Sequence, residues 1–403
     1  MIRFIHAADL HLDTPFSGLE QTSRTLAEKL RKAPYESLTK IIDVAIKEAV
    51  DFVLLAGDLY NTKRINIRAQ SLFVEQLKRL EEAGIAVFLI RGNHDYLTEE
   101  TKNLALPLPK NVYTFTNEVK THLFKTKNKE RIAVSGFSYD SQWVFERKIK
   151  EFPLRAENVN MHIGLYHGDI ESNHERQANY APFTIQELRQ KNYDYWALGH
   201  IHQLRRLSSH PLTYYSGNIQ GLHKNEIGKK GCLLVEWTPH EQEVQFIETA
   251  PIVWEQLEVH LQAIENIPAL IQELKNKIQE KNYQTDTLVH LTIRASTDED
   301  ENLVHYIQQN DFLPQLTKQL GFPNVWLASM DFILDEVSDQ KALEKLYPKE
   351  WEQALTKMKE PAAFQEVTEQ VLEQIPSKYL NEVNSDTYRK EMIEKAIAKI
   401  HLK

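Results

Sequence analysis

Phe52-Val53-Leu54-Leu55-Ala56 is an unbroken apolar run of strand length, and an amphipathic helical pattern lies on either side of it. In Tyr35–Val50, Leu38, Ile41, Ile42, Ala45 and Ala49 share one helical face; Ile67–Ala83 reads as a second helix, stopped by Gly84. A strand apolar on both faces must be covered on both, which suits a parallel strand inside a layered domain. Ile2–Ala7 and Ile85–Ile90 read as strands before and after it. Strand, helix, strand, helix, strand is the order of a layered α/β domain.

Beyond residue 110 the strand-like runs come closer together. Val119–Lys125 and Arg131–Phe137 flank Thr126-Lys127-Asn128-Lys129-Glu130 as a hairpin. Further strands are expected at Met161–Tyr166, Tyr193–Leu198, Leu212–Tyr215, Gly231–Trp237 and Val244–Glu248. Together these predict a two-sheet β-sandwich flanked by helices over residues 1–250. From Pro251 the pattern changes. A helical run over Ala263–Glu280, a strand at Thr287–Ile293, another helical stretch and Val325–Leu334 predict a small α+β capping domain over 251–336. Residues 337–403 read as helices only. Phe364, Val367, Val371, Leu372 and Ile375 recur at helical spacing, and so do Tyr388, Met392, Ile393, Ala396, Ile397 and Ile400. Two amphipathic helices at a chain end either pack on their own domain or dock on a partner.

Composition excludes several classes. A chain of 403 residues is expected to hold two or three domains. Its one cysteine, Cys232, leaves no internal disulfide and no Cys-rich zinc site, and is compatible with a reducing cytoplasm. Met1–His6 has neither the basic start nor the apolar run of a signal peptide. No apolar run reaches the roughly 18 residues of a membrane span. The expectation is a cytoplasmic protein without a membrane partner. The net charge of −9 is uneven: residues 1–250 carry 32 Lys and Arg against 31 Asp and Glu, and residues 251–403 carry 16 against 26. Within residues 101–150 the balance is 10 against 4, so a polyanion would meet the first part of the chain.

The residues suited to chemistry stand just after the strand-like runs. They are Asp9-Leu10-His11, Gly57-Asp58, Gly92-Asn93-His94-Asp95, His167-Gly168 and Gly199-His200-Ile201-His202. Ligands gather at the carboxyl ends of strands in open α/β sheets, so these five loops can converge. Asp9 with His11, and His200 with His202, are spaced to point to one side of an extended segment. Carboxylates and imidazoles without thiolate suit Mn²⁺, Fe²⁺ or Zn²⁺ better than Ca²⁺. A carboxylate such as Asp58 set between two ions can bridge them, and paired ions clamp the attacking and leaving oxygens of a phosphoryl displacement.

The series of motifs resembles the calcineurin-like metallophosphoesterase superfamily. Within it, His6-Ala7-Ala8-Asp9-Leu10-His11-Leu12, Gly57-Asp58-Leu59-Tyr60, Tyr215-Ser216-Gly217-Asn218 and Glu226-x-Gly228-x-Lys230-Gly231 resemble the SbcD-type DNA repair exonucleases, in particular their YhaO-like branch. The resemblance covers residues 1–250 and is only architectural for 251–335. It implies two divalent ions, Mn²⁺ first, with Fe²⁺, Zn²⁺ or Mg²⁺ as alternatives. Asp9, His11 and His202 would hold one ion, and Asn93, His167 and His200 the other, with Asp58 bridging. His94 would protonate the leaving oxygen, and Asp95 would orient its ring. The resemblance also implies DNA as substrate and an SbcC-type coiled-coil ATPase as partner; a homodimer is compatible with it. Several relatives carry His where this chain has Asn61, which can hydrogen-bond a phosphate but cannot titrate. Lys125, Lys127 and Lys129 on the hairpin would touch DNA backbone or form a solvated face, and Arg176 would reach a phosphate or stay solvated. His6 and His162 read as hydrogen-bonded core histidines. Two other functions fit the same residues: a phosphoesterase for small nucleotides or phosphoproteins, and a weakly active scaffold subunit of an ATPase complex.

Overall fold

The computed structural model describes residues 1–14, 24–61, 66–171, 180–264, 266–296, 301–307, 309, 312–335, 349, 352–353, 356–357 and 360. Arg176 and the amphipathic patterns of 361–403 lie outside the described residues.

The elements run β1 (Ile2–Ala7), α1 (Arg24–Lys47), β2 (Phe52–Ala56), α2 (Ile67–Glu82), β3 (Ala86–Ile90), α3 (Glu99–Leu104), β4 (Val112–Thr114), β5 (Lys120–Lys125), β6 (Arg131–Gly136), β7 (Met161–His167), α4 (Ile185–Gln190) and β8 (Tyr195–Gly199). They continue β9 (Arg205–Ser209), β10 (Leu212–Tyr215), β11 (Gly231–Trp237), β12 (Gln242–Glu248), β13 (Ile252–His260), α5 (Ile267–Lys281), β14 (Asp286–Ser296), α6 (Glu301–Ile307), α7 (Phe312–Leu320) and β15 (Val325–Asp335). One sheet has the order β12-β11-β1-β2-β3-β4 and the second β5-β6-β7-β8-β10-β9. β1, β2, β3 and β4 run parallel, as do β6, β7, β8 and β10. Between the sheets, Phe4, Phe52, Leu54 and Phe88 of the first meet Ile132, Val134, Ile163, Leu165 and Tyr195 of the second. The other face of the first sheet, through Ile5, Val53, Leu55 and Val87, is covered by Leu38, Ile41 and Ile42 of α1 and by Phe73 and Leu77 of α2. Tyr166, Trp196 and Leu198 on the outer face of the second sheet lie under Phe152, Phe183 and Leu188. This is the expected two-sheet sandwich flanked by helices. Apolar runs such as Phe52–Ala56 are buried at every residue because both faces are covered.

Several elements depart from the sequence expectation, among them α1, β4, β9 and β13. α1 begins at Arg24 and runs through Pro34, where the pattern predicts a start near Tyr35. Proline inside a helix costs about 3 kcal/mol. Burial of Leu26, Leu30 and Ala33 against Ile252, Trp254 and Leu288 offsets it. β9 is a mostly polar strand at the sheet's edge, and β4 has only three residues, so neither shows a periodic signal.

The chain divides into two compact units. The first is Met1–Gln256 with Asn282–His290 and Phe322–Ala328; the second is Leu257–Lys281, Leu291–Gly321 and the chain from Ser329 on. β13, β14 and β15 form a three-stranded sheet. Inside the second unit, Leu270, Leu274 and Ile278 of α5 and Leu316 and Leu320 of α7 are buried. No helix among the described residues is long and apolar enough to cross a membrane.

Candidate metal centre

Parallel strands within each sheet bring their carboxyl ends to one pole, and the five polar loops meet there. Asp9 and His11 follow β1, Asp58 follows β2, Asn93 follows β3, His167 closes β7, and His200 and His202 follow β8. The first two loops are zipped together by backbone bonds from Asp9 N to Gly57 O (3.1 Å) and from His11 N to Asp58 O (3.0 Å). The main chain is left-handed at Asp9, His11, Asp58 and His200, with φ of 50°, 41°, 48° and 101°. Such conformations are uncommon outside glycine and concentrate at functional sites, where the surrounding structure holds them. Gly57 itself has φ of 92°, and a side chain there would strike the His167 ring. A side chain at Gly92 would meet the Asp58 carboxylate, so both glycines let the loops close over the cluster.

Two groups of donors result. In Asp9, His11 and His202, and in Asp58, His167 and His200, the candidate ligand atoms lie within 4.8 Å of one another. Asn93 joins the second group: its Oδ1 is 3.0 Å from His167 Nε2 and 3.1 Å from His200 Nδ1. Asp58 lies between the groups, with Oδ2 3.4 Å from His167 Nε2 and 3.8 Å from His11 Nε2. Asp9, His11, Asp58 and His167 are all but fully buried.

Burial pushes Asp58 towards its neutral form, but His167 and His11 outweigh it and hold the carboxyl well below its usual range. Burial likewise opposes charge on His167, yet Asp58 prevails and draws the imidazole up to about 9. Burial raises Asp9 against the pull of His202 and His167. His11 goes the other way: burial lowers it to about 3, leaving a neutral ring. Its Nδ1 has no hydrogen-bond partner among the described residues, and its Nε2 faces His202 Nε2 at 2.9 Å. Two imidazole nitrogens that close repel unless a proton or a cation lies against them. Buried carboxylates that draw protons onto neighbouring imidazoles fit divalent cations, which would displace those protons. The donor set therefore fits two ions.

Two carboxylates outside the expected set stand behind the histidines. Glu226 Oε1 accepts from His202 Nδ1 at 2.5 Å, and Asp169 Oδ1 lies 3.1 Å from His200 Nε2. Each leaves the opposite nitrogen facing the cluster, the usual outer support of a metal-binding histidine. Burial raises Glu226, but its bond to His202 prevails and lowers it to about 2. Asp169 sits directly after His167-Gly168, and Glu226 lies in the Glu-x-Gly-x-Lys-Gly motif. Neither place in the sequence discloses the partner.

His94 is exposed at the rim, its ring 4.9 Å from that of His11. Its Nδ1 is 3.1 Å from the backbone oxygen of Asn61, and its amide donates to Asp58 Oδ1 at 2.9 Å. Asp95, expected to orient that ring, does not bond to it. Its carboxylate is buried and accepts from Leu59 N (3.2 Å) and Gly92 N (2.9 Å), which pins the loops after β2 and β3 together. Burial raises Asp95 to about 6, against Arg91 3.5 Å away. The ring-orienting role falls to Asn61, through its main chain.

Lys125, Lys127 and Lys129 lie elsewhere. β6 runs parallel to β7, so the turn before β6 stands beside the start of β7, and His167 closes its far end. Lys127 Nζ donates to Ala83 O, at the end of α2, and Glu130 pairs with the amino group of Met1. A strand of about six residues, roughly 20 Å, separates this basic turn from the metal pole. The spacing of lysines on a hairpin does not disclose which pole of the sandwich the turn occupies. His6 and His162 are core histidines as expected, bonded to Tyr195 and Leu198, and to Ser135 and Ala156.

A buried cluster of carboxylates, imidazoles and one amide at the strand ends of a double-sheet sandwich defines a binuclear metallohydrolase. The model of the calcineurin-like phosphoesterases matches residues 2–204, and the chain belongs to that family. It is 34% identical to the uncharacterized metallophosphoesterase YhaO of Bacillus subtilis over 86% of this chain and 85% of that one. The DNA double-strand break repair protein Mre11 of Methanocaldococcus jannaschii is 27% identical over 62% of this chain and 66% of its own. A dimetal phosphatase of Danio rerio matches in structure with a TM-score of 0.36 at 10% identity, covering 59% of this chain and 93% of that one.

Proposed function

We propose that this metallophosphoesterase hydrolyses DNA phosphodiesters as the nuclease subunit of a cytoplasmic, SbcD-type complex with a coiled-coil ATPase. The observation that carries the proposal is the pairing of a seven-donor cluster with an exposed histidine at its rim. Asp9, His11 and His202 would hold one ion and Asn93, His167 and His200 the other, with Asp58 shared. Bound divalent ions supply Lewis acidity and a water acidic enough to attack phosphorus near neutral pH. Oxygen and nitrogen donors without thiolate suit Mn²⁺, Fe²⁺ or Zn²⁺, and the resemblance to SbcD-type nucleases puts Mn²⁺ first. His94 turns Nδ1 to the Asn61 carbonyl, so Nε2 remains to protonate the departing oxygen. The Asn61 side chain would hydrogen-bond a phosphate oxygen. Support for DNA comes from the relatives named as DNA double-strand break repair proteins and from the motifs shared with SbcD-type nucleases.

End-labelled single- and double-stranded DNA, incubated with Mn²⁺, with Mg²⁺ and without metal, tests the reading. Metal-dependent cleavage, lost in Asp58→Asn, is expected. Activity on a small nitrophenyl diester with none on either DNA would refute DNA as substrate and favour a small-nucleotide phosphoesterase.

A further inference from the structure

Trp143 exposes 47% of its surface although the residue beside it, Val144, is buried. Its indole stacks on Tyr180, with ring centroids 5.2 Å apart and planes 29° from parallel. Tyr180 in turn lies 4.5 Å from the ring of His200, one of the histidines at the metal centre. Two stacked aromatic rings therefore lead from solvent to the candidate ligand set. Phe145, 62% exposed, follows two residues on.

The segment that presents Trp143 is tied down. Val144 bridges to Tyr180, and Ala181 N donates to Val144 O at 2.5 Å. Ser141 Oγ donates to the Trp143 carbonyl at 2.9 Å. Arg147 pairs with Glu187 and Glu171, each at 2.6 Å. The half of this large apolar ring left in water by so firm a backing gains nothing for the fold, since burial is what would stabilise it. It is preorganised to receive a flat partner.

We propose that Trp143, backed by Tyr180, stacks the nucleobase that flanks the scissile phosphodiester, so that the enzyme prefers a linkage whose neighbouring base has a free face. The proposal rests on the DNA reading above and adds the element that recognises the nucleoside. Base-on-aromatic stacking tolerates every base, because every base has a π-face. It suits a nuclease that must accept any sequence, and it requires the base to be terminal or unpaired.

The test uses the full chain loaded with Mn²⁺. Single-stranded oligonucleotides carry an abasic site at each of the terminal positions in turn, and Trp143→Ala and Trp143→Phe are compared with the unaltered protein. Trp143→Ala is expected to raise KM for the intact strand by about 5- to 150-fold. The loss should be concentrated in KM over kcat, and Trp143→Phe should recover most of it. At one position the abasic strand should be a poorer substrate than the intact one for the unaltered protein but not for Trp143→Ala. Metal content measured by mass spectrometry should stay at two ions in both variants. An equal penalty for Trp143→Ala on intact and abasic strands at every position would overturn the platform, and so would no penalty at all. If the unaltered protein cleaves no oligonucleotide, the DNA reading fails on its own. The platform is then tested with a thymidine monophosphate nitrophenyl ester against methyl nitrophenyl phosphate, which has no base. A preference for the nucleotide that Trp143→Ala removes sustains stacking; equal kcat/KM for the two esters overturns it.

Discussion

Replacing Glu226 by Gln should weaken one metal site and leave the other intact. Glu226 is 8% exposed, and both its oxygens are engaged. Oε1 takes His202 Nδ1 at 2.5 Å; Oε2 takes Asn218 Nδ2 at 2.8 Å and Leu222 N at 2.6 Å. Glutamine has one oxygen for these three donors. If it faces Asn218 and Leu222, the amide NH₂ meets His202 Nδ1, and His202 must carry its proton on Nε2. That is the nitrogen 2.9 Å from His11 Nε2, so the metal donor is lost. If the oxygen stays on His202, the NH₂ meets two donors instead. Each buried donor left unpaired costs about 1–3 kcal/mol, so about 2–6 kcal/mol for the pair. The first branch disables the site of Asp9, His11 and His202 directly; the second strains the loop that holds residue 226 against His202. Loss of an outer carboxylate partner lowers metal affinity about 10- to 100-fold. Equilibrium dialysis against graded Mn²⁺, with metal counted by mass spectrometry, should show one binding step displaced by that factor and the other unmoved. Asp169→Asn should displace the other step. Wild-type affinity at both sites in Glu226→Gln would refute the support assigned to this carboxylate.

Asp58→Asn should lower metal stoichiometry and abolish hydrolysis, since the shared carboxylate loses its charge for both ions; full activity with two ions retained would contradict its place between them. His94→Ala should keep two ions while DNA cleavage falls by about 10²–10⁴, the usual worth of a general acid. A nitrophenyl ester should suffer less, because its leaving group needs no proton, and equal losses on both substrates would rule out the role. Changing Lys125 and Lys129 to Glu should leave the rate of DNA cleavage within about twofold, because the basic turn is about a strand's length from the metal pole. Stability should fall in acid through His6, which burial lowers to about 3 from 6.5. Between those values the unfolded chain binds a proton that the folded one refuses. The loss is then about 1.4 kcal/mol per pH unit below 6.5. Urea unfolding from pH 7 to 4.5 should show that slope reduced in His6→Gln.

The layered fold was legible because apolar runs such as Phe52–Ala56 and the faces of Tyr35–Val50 carry their period locally. The convergence of Asp9, His11, Asp58, Asn93, His167, His200 and His202 was legible for a related reason: each ends or follows a strand, and parallel strands end together. What escaped depends on partners distant in sequence. Glu226 reaches His202 from 24 residues away, beyond β9 and β10, and nothing in its motif names that partner. Asp95 stands next to His94 in sequence, yet its carboxylate turns to the amides of Leu59 and Gly92. The periodic face of Tyr35–Val50 predicts a start near Tyr35, and packing extends α1 back through Pro34 to Arg24.

Each candidate ion site takes donors from both sheets: Asp9 and His11 with His202, Asp58 and Asn93 with His167 and His200. His11 and His202 are 191 residues apart in the chain. No segment of the chain short enough to form early contains either set, and closing so long a loop comes before any contact can reward it. The donors meet only when the two sheets have docked, so a bound ion would act as a rivet through the open end of the sandwich. If docking follows the main barrier to folding, its stabilisation would appear as slower unfolding, because interactions absent from the transition state are felt on that limb alone.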